Sequence, residues 1–303
     1  MAAQADPAPS ALSFGTVADA YDRGRPSYPD QAVSWLIGTP GTTFVSVLEL
    51  GAGTGKLTRS LVEQRYHVFA TDPDDAMLDV LATHLPDIRA TRASAEQLPV
   101  PDQSVDVVVA AQAFHWFDLD KALPEMARVI KPEGHLALVW NIPDQSIPWV
   151  RKLCAIMSPT RRDVDPTEVL VESGYFAPVE HAAFTFWQEV DRDTVVDLAL
   201  SRSEQIGLSD AERAEIRAKV EALYDDYGRG TGGMRIPYVC HAWRARVTAK
   251  QPKTPAPPVA PTTLLNSSHE SISTDTAVAL PRVLDSYGRD EPGTDEVKLF
   301  TWH

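Results

Sequence analysis

The apolar positions of this chain fall into short hydrophobic runs separated by amphipathic stretches. The run VSVLEL at 45–50 meets the glycine-rich GAGTGK, the helix-patterned LTRSLVEQ follows, and HVFATD at 67–72 reads as a second strand. The alternation continues with a helix over DDAMLDVLATHL, a short strand near Ile88 to Ala93, and a stronger strand at VDVVVAAQA. A helix over DKALPEMARVI and a strand over HLALVWN complete this part. Strands alternating with helices at this spacing indicate βαβ units and a mainly parallel sheet covered on both faces. The unbroken Val107–Val109 run is the pattern of a central parallel strand buried on both sides.

Beyond Asn141 the pattern predicts a helix around Pro148 to Met157, a strand FTFWQEV at 184–190, and one or two helices between Arg192 and Tyr224. Ile216, Val220 and Leu223 stand at i, i+4 and i+7 of AERAEIRAKVEALYDD, a stripe that marks an amphipathic surface helix. MRIPYVCHAWRARV, after Gly228 to Gly233, reads as a final strand. From Ala249 the composition shifts to proline-rich and then Ser/Thr/Asp-rich sequence, so 249–303 reads as a disordered tail. Four regions are expected: a cap segment at 1–39, a ligand-binding core at 40–145, the remainder of the same domain at 146–248, and the tail.

Composition narrows the partners. The 28 Lys+Arg against 42 Asp+Glu give a formal net charge of -14, a field that repels polyphosphates, so nucleic acid is not an expected partner. The first residues lack a basic and then apolar leader, and no window holds the roughly 18 apolar residues of a membrane span, so a cytoplasmic protein is expected. Cys154 and Cys240 lack metal-ligand spacing and read as buried thiols, and no metal site is expected.

The chemistry concentrates at VLELGAGTGKLTRSL. Gly51, Gly53 and Gly55 follow an apolar strand and precede a helix, where a tight turn needs positive φ and a ligand approaches the main chain without meeting a Cβ. The spacing is G-x-G-x-G, not the G-x-G-x-x-G of a dinucleotide site. The preceding Glu49 disfavours a pyrophosphate, and Leu57 breaks the phosphate-loop pattern, so a cationic ligand suits the loop better. Asp72 ends the second strand and is placed to accept from ribose hydroxyls, or to serve as a turn residue before Pro73. His115 and Trp116 follow the fourth strand, at the carboxyl edge where open α/β sheets bind ligands. A histidine there could take a proton from an acceptor, or bond a backbone carbonyl.

Taken in order, ELGAGTGKLT, TDPDDAML, ASAEQLPVPDQSVDVVVAAQAFHWFD and RVIKPEGHLALVWN resemble the class I methyltransferases of the type 11 domain group, over about residues 14–145 and more loosely to 248. The resemblance implies a Rossmann-like, doubly wound sheet of seven mostly parallel strands with a final antiparallel strand, and S-adenosylmethionine as methyl donor. It implies that Glu49 and the loop Gly51, Ala52, Gly53 and Gly55 hold the methionine end of the donor, and that Asp72 holds the ribose. Pro73 and Met77 would flank the adenine, Ala95 and Glu96 would meet its edge, and Gln112 would sit near the methionine. FGTVADAYDRGRPSYP resembles the family's cap, which makes Tyr21, Arg25 and Tyr28 lid candidates beside Trp116. Branches that methylate base amines carry an Asn/Asp-Pro-Pro-aromatic motif after the fourth strand. Here that place reads AQAFHWF, which with the acidic charge points to a small-molecule acceptor. Phe114, Trp116, Phe117, Phe184, Phe186 and Trp187 would permit a hydrophobic one, or fill a core. Two other functions are open to the sequence: a nicotinamide-dinucleotide oxidoreductase, which the loop spacing and Glu49 disfavour, and a catalytically silent donor-binding protein acting through its tail, which fits the same motifs.

Overall fold

The computed structural model describes residues 18–38, 44–157, 164–202, 205, 207–228 and 233–248. The expected tail at 249–303 lies outside the described residues. One seven-stranded sheet organises the rest, in the order β3-β2-β1-β4-β5-β7-β6. Its strands are β1 (Ser46–Leu50), β2 (His67–Asp72), β3 (Arg89–Arg92), β4 (Val105–Ala111), β5 (Ile130–Pro143), β6 (Phe176–Val190) and β7 (Met234–Val247). Pairing is parallel from β3 through β5. β7 runs antiparallel between β5 and β6. The expected sheet is therefore present, with its reversed strand inside the edge pair.

Side-chain alternation along the central strands divides the core between the two faces of the sheet. Val107, Val109, Ala137 and Val139 pack under α2 (Asp30–Ile37) and α3 (Lys56–Glu63). Val108, Ala110, Leu136 and Leu138 pack under α5 (Leu119–Val129) and α7 (Thr167–Ser173). Met77 and Leu81 of α4 (Asp75–His84) are buried, and Leu81 packs on Ala52 and Ala70. A third cluster joins α6 (Pro148–Met157), α8 (Arg192–Leu200) and α9 (Asp210–Tyr227) to Met234, Ile236 and Tyr238 at the start of β7. α1 (Ala18–Gly24) lies against α8, where a Cβ on Gly24 would come within 2.3 Å of the Leu198 nitrogen.

Local sequence explains the starts of some helices. Asp74 caps α4 by accepting the Ala76 N–H, and Ser209 with Glu212 forms a reciprocal capping box at α9. Val220 and Leu223 of the expected stripe are buried and Ile216 is half-buried. β6 begins at Phe176, eight residues before the FTFWQEV run, because an edge strand is held by the backbone ladder to β7 and does not need apolar alternation. Both cysteines are free and buried.

Candidate active site

The glycine loop joins β1 to α3. Gly51, Gly53 and Gly55 all have positive φ, at 66°, 56° and 86°. A Cβ on Gly51 would lie 2.5 Å from the Ala113 Cβ, whereas one on Gly53 would meet nothing within 4 Å. Gly51 is therefore required by packing against the end of β4, and Gly53 leaves bare main chain toward open space. Ala52 donates its N–H to the Thr71 carbonyl at 3.0 Å, which ties the loop to β2.

Asp72 stands opposite. Its Oδ2 accepts the Gly53 N–H at 2.8 Å and its Oδ1 accepts the Asp74 N–H at 2.9 Å. Burial pushes its carboxyl up to about 6, against the pull of those two bonds. The bond to the Asp74 N–H is the turn role that the sequence also allowed Asp72, while the cap of α4 is Asp74. Glu49 lies beneath the loop and not on the cleft wall. Its Oε2 accepts the Thr58 hydroxyl at 2.7 Å, and burial raises its carboxyl to about 8.

A cleft of about 1630 Å³ runs over the carboxyl ends of the strands. Gly51, Gly53, Asp72, Pro73 and Met77 line one end, and Ala95, Glu96, Gln112, His115 and Trp116 continue the wall. Ala52 and Gly55 shape the loop without lining the cleft. Glu96 accepts the Asp118 N–H at 2.9 Å, which ties its turn to the loop after β4. Gln112 has φ 59°, a left-handed conformation rare for a non-glycine, and its Nε2 donates to the Asn141 carbonyl at 3.2 Å. His115 and Trp116 belong to a single 3-10 turn, with ring centroids 4.9 Å apart.

The cap residues are brought to the same cleft. Tyr21 and Arg25 line it, with the Arg25 guanidinium 4.9 Å from the centre of the Tyr21 ring. Arg25 donates to the Ser201 carbonyl at 3.1 Å and to its Oγ at 3.3 Å. Tyr28 is buried, its phenol raised well above the ordinary value by burial, and it lines a small side chamber that Arg25 shares.

Several cleft residues carried no signal in the sequence. Asn141 donates from Nδ2 to the Ser27 carbonyl at 3.1 Å, and its buried Oδ1 has no hydrogen-bond partner. Because a carbonyl can only accept, that bond also fixes which side-chain atom is the oxygen. Arg151, Arg202, His181, His241 and Trp243 reach the cleft from the carboxyl-terminal half, through packing that no local pattern announces. Of the aromatics, Phe114 and Phe117 line the cleft. Phe184 and Phe186 pack into the core instead, and Trp187 is an exposed residue beneath Arg235.

The methyltransferase-domain family model matches residues 48–138. Uncharacterised methyltransferases of Mycobacterium tuberculosis and Mycobacterium bovis are 41% identical over 237 residues, which is 77% of this chain and 95% of theirs. The chain is a class I methyltransferase. An uncharacterised methyltransferase-like protein of Schizosaccharomyces pombe is 32% identical over 248 residues, 79% of this chain and 96% of that one. A solved candidate type II methyltransferase of Anaeromyxobacter dehalogenans aligns with a TM-score of 0.51 at 28% identity, over 73% of this methyltransferase and 97% of that chain. No described helix is long and apolar enough to cross a membrane. Among the described residues no three His, Cys, Asp or Glu side chains are grouped to hold a metal ion.

Proposed function

We propose that this enzyme transfers the methyl group of S-adenosylmethionine to a small organic acceptor in the cleft over β1, β2 and β4. One juxtaposition carries the reading: a left-handed glycine loop with open space at Gly53, bonded directly to the strand-end carboxylate of Asp72. Each Asp72 oxygen already accepts one N–H and keeps a further lone pair, so ribose hydroxyls can be accepted without losing the loop contact. Gly51, Ala52 and Gly55 shape the bare turn for the methionine end, and Glu49 fixes it from below through Thr58. Pro73, Met77, Ala95 and Glu96 supply the adenine wall, and Gln112 stands at the methionine end.

When bound, the sulfonium supplies an already activated methyl group, so the residues chiefly orient the partners and exclude water. Tyr21, Arg25 and Tyr28 close one side as the cap. Trp116 walls the acceptor side, and His115 is placed to take a proton where the acceptor loses one. On this reading 1–39 caps the site, 40–145 holds the donor and 146–248 supplies the acceptor side.

Calorimetry with S-adenosylhomocysteine tests the proposal. Asp72→Ala is expected to weaken binding roughly tenfold or more, the effect of losing charged hydrogen bonds, and NAD is expected not to bind. Binding of NAD in place of the nucleoside, or of neither, would sink it.

A further inference from the structure

We propose that the acceptor is a phenol, and that His241, backed by His181, takes the proton of its hydroxyl as the methyl group arrives. The inference rests on the methyl-transfer reading and deepens it, naming the substrate class and the base of the same cleft.

His181 of β6 and His241 of β7 share one face of the sheet, since His181 is registered against Trp243 and Ala183 against His241. Both line the cleft, as do Val239 and Trp243 on either side of His241 along its strand. His181 Nε2 and His241 Nδ1 are 3.1 Å apart. Their ring centroids are 5.3 Å apart and the planes differ by 11°. At that separation, parallel rings bring two nitrogens so close only when the nitrogens face each other nearly in plane, so the contact is an N–H···N hydrogen bond and not a ring stack. One imidazole gives the proton and the other takes it. The outer nitrogens, His241 Nε2 and His181 Nδ1, have no hydrogen-bond partner among the described residues.

The pair runs from cleft to solvent: His241 is half-buried and His181 is exposed. Burial, and then the neighbouring His181, hold His241 below the ordinary histidine value, so it stands neutral and ready to accept a proton. Asp165, ahead of α7, is within electrostatic reach of His181: its carboxyl is held below the ordinary range chiefly by bonds to Thr167 and in smaller part by that ring. A positive charge passed outward therefore meets an anion. Arg151, Arg202 and Asp144 also line the cleft, whereas Glu180 and Arg244 bond each other on the opposite face, where Arg244 reaches the Trp35 carbonyl of α2.

His241 is registered against Trp140 of β5, and the Gln112 N–H bonds the Val139 carbonyl. Two strand spacings, roughly 10 Å, therefore separate the His241 backbone from that of Gln112, the residue assigned to the methionine end of the donor. A single aromatic ring spans such a gap, and Phe114, Trp116, Phe117 and Trp140 give the cleft aromatic walls to hold one.

Only some acceptors need a base. A carboxylate has no proton to lose and an amine can shed one to water after transfer, but a hydroxyl oxygen must release its proton as the new bond forms. The phenol oxygen attacks the methyl carbon, the C–O bond forms as the C–S bond breaks, and the bonding pair leaves on sulfur. The hydroxyl proton passes to His241 Nε2, the His241 Nδ1 proton to His181 Nε2, and the His181 Nδ1 proton to water. The products are an aryl methyl ether, a neutral thioether and one released proton, which carries the charge of the sulfonium. His115 is the rival for this task.

The full chain is incubated with methyl-tritiated S-adenosylmethionine and separate pools of phenols, aliphatic alcohols, carboxylic acids and primary amines. Label is expected in the phenol pool alone, as an ether stable to alkali. With phenols of graded acidity, His241→Gln should lower kcat about a hundredfold or more for the least acidic and progressively less as acidity rises, because an ionised acceptor needs no base. A merely structural histidine would slow all of them alike. His181→Gln should move the acid limb of the kcat profile toward higher pH, and Kd for S-adenosylhomocysteine should stay within about twofold in both variants. In the unliganded chain, 15N-histidine spectra should show His241 protonated on Nδ1, with a titration that moves to higher pH in His181→Gln.

Label confined to the alcohol, acid or amine pools overturns the proposal, as does failure of every phenol to react in protein that binds S-adenosylhomocysteine. So does an equal loss across the phenols in His241→Gln, or an acid limb that vanishes in His115→Gln and persists in His241→Gln. If packing suffers in His241→Gln, exposed His181 decides: an unchanged kcat profile and an unmoved His241 titration in His181→Gln count against the relay. Absence of any S-adenosylhomocysteine binding would instead remove the underlying methyl-transfer reading.

Discussion

Glu49 and Asp72 both hold a carboxyl group where water is scarce, and burial raises both above their ordinary values of 4.5 and 3.8, to about 8 and about 6. Across each interval the native group keeps a proton that the unfolded chain has released, so stability is lost as pH rises through it. Glu49→Gln is therefore expected to raise the melting temperature at the alkaline end of the Glu49 interval and to leave it almost unchanged at the acid end. A difference from wild type that does not vary with pH would contradict this. A cationic donor beside the pair draws those protons off, so its affinity should strengthen over the same interval, with proton release visible by calorimetry in two buffers. The glycines make a second contrast. Gly53→Ala has room for its methyl group and should cost about 1 kcal/mol for left-handed backbone, with its main effect on donor affinity. Gly51→Ala adds a 2.5 Å contact with Ala113 and should lower the melting temperature considerably more. Equal melting temperatures would refute the packing role of Gly51.

Elements set how the cap meets the cleft. α1 is fastened to α8 by the close approach at Gly24, by the Arg23–Asp197 ion pair at 2.7 Å, and by Arg25 on Ser201. The exposed ion pair contributes little by itself, so the backbone approach is the main determinant. Gly24→Val is expected to push α1 away and speed amide exchange over 18–28, with little change in exchange of the central strands. Unchanged exchange in the cap would show that other contacts hold it. On the opposite face, buried Arg128 bonds Glu125 at 2.7 and 2.8 Å, Asp102 at 2.8 Å and the Val100 carbonyl at 3.0 Å. Glu125 in turn accepts the Leu98 N–H, so α5 holds the turn that carries Ala95 and Glu96. Removing one partner of so enclosed a network costs about 3 kcal/mol. Arg128→Met should show that loss in denaturant, together with weaker nucleoside binding. The Glu125–Arg128 pair stands at helical i,i+3 spacing, but its links to Leu98, Val100 and Asp102 were invisible in the sequence because those partners lie 26 or more residues away and follow no helical or strand period.

Across the whole molecule, the cleft exists because β1, β2, β4 and β5 run parallel and end together, while β7 and β6 extend the sheet and carry His241 and His181 to its far side. Ligand binding to such a site stabilises only the folded chain. S-adenosylhomocysteine at a hundred times its Kd should add about 2.7 kcal/mol and raise the melting temperature, with no rise for NAD. What the sequence by itself determined is what local spacing encodes: apolar runs that read as buried strands, glycines where the turn needs positive φ, Asp72 at a strand end, and the stripe of α9. Those signals sufficed for the sheet, for the family and for the candidate donor side. The tertiary structure alone decided the rest. Glu49 went beneath the loop, Phe184 and Phe186 into the core, and Arg25, Arg151 and Arg202 to the lining of one cleft. Such placements depend on how distant helices pack, and packing selects side chains by the shape and charge of neighbours remote in the chain, which no short pattern records.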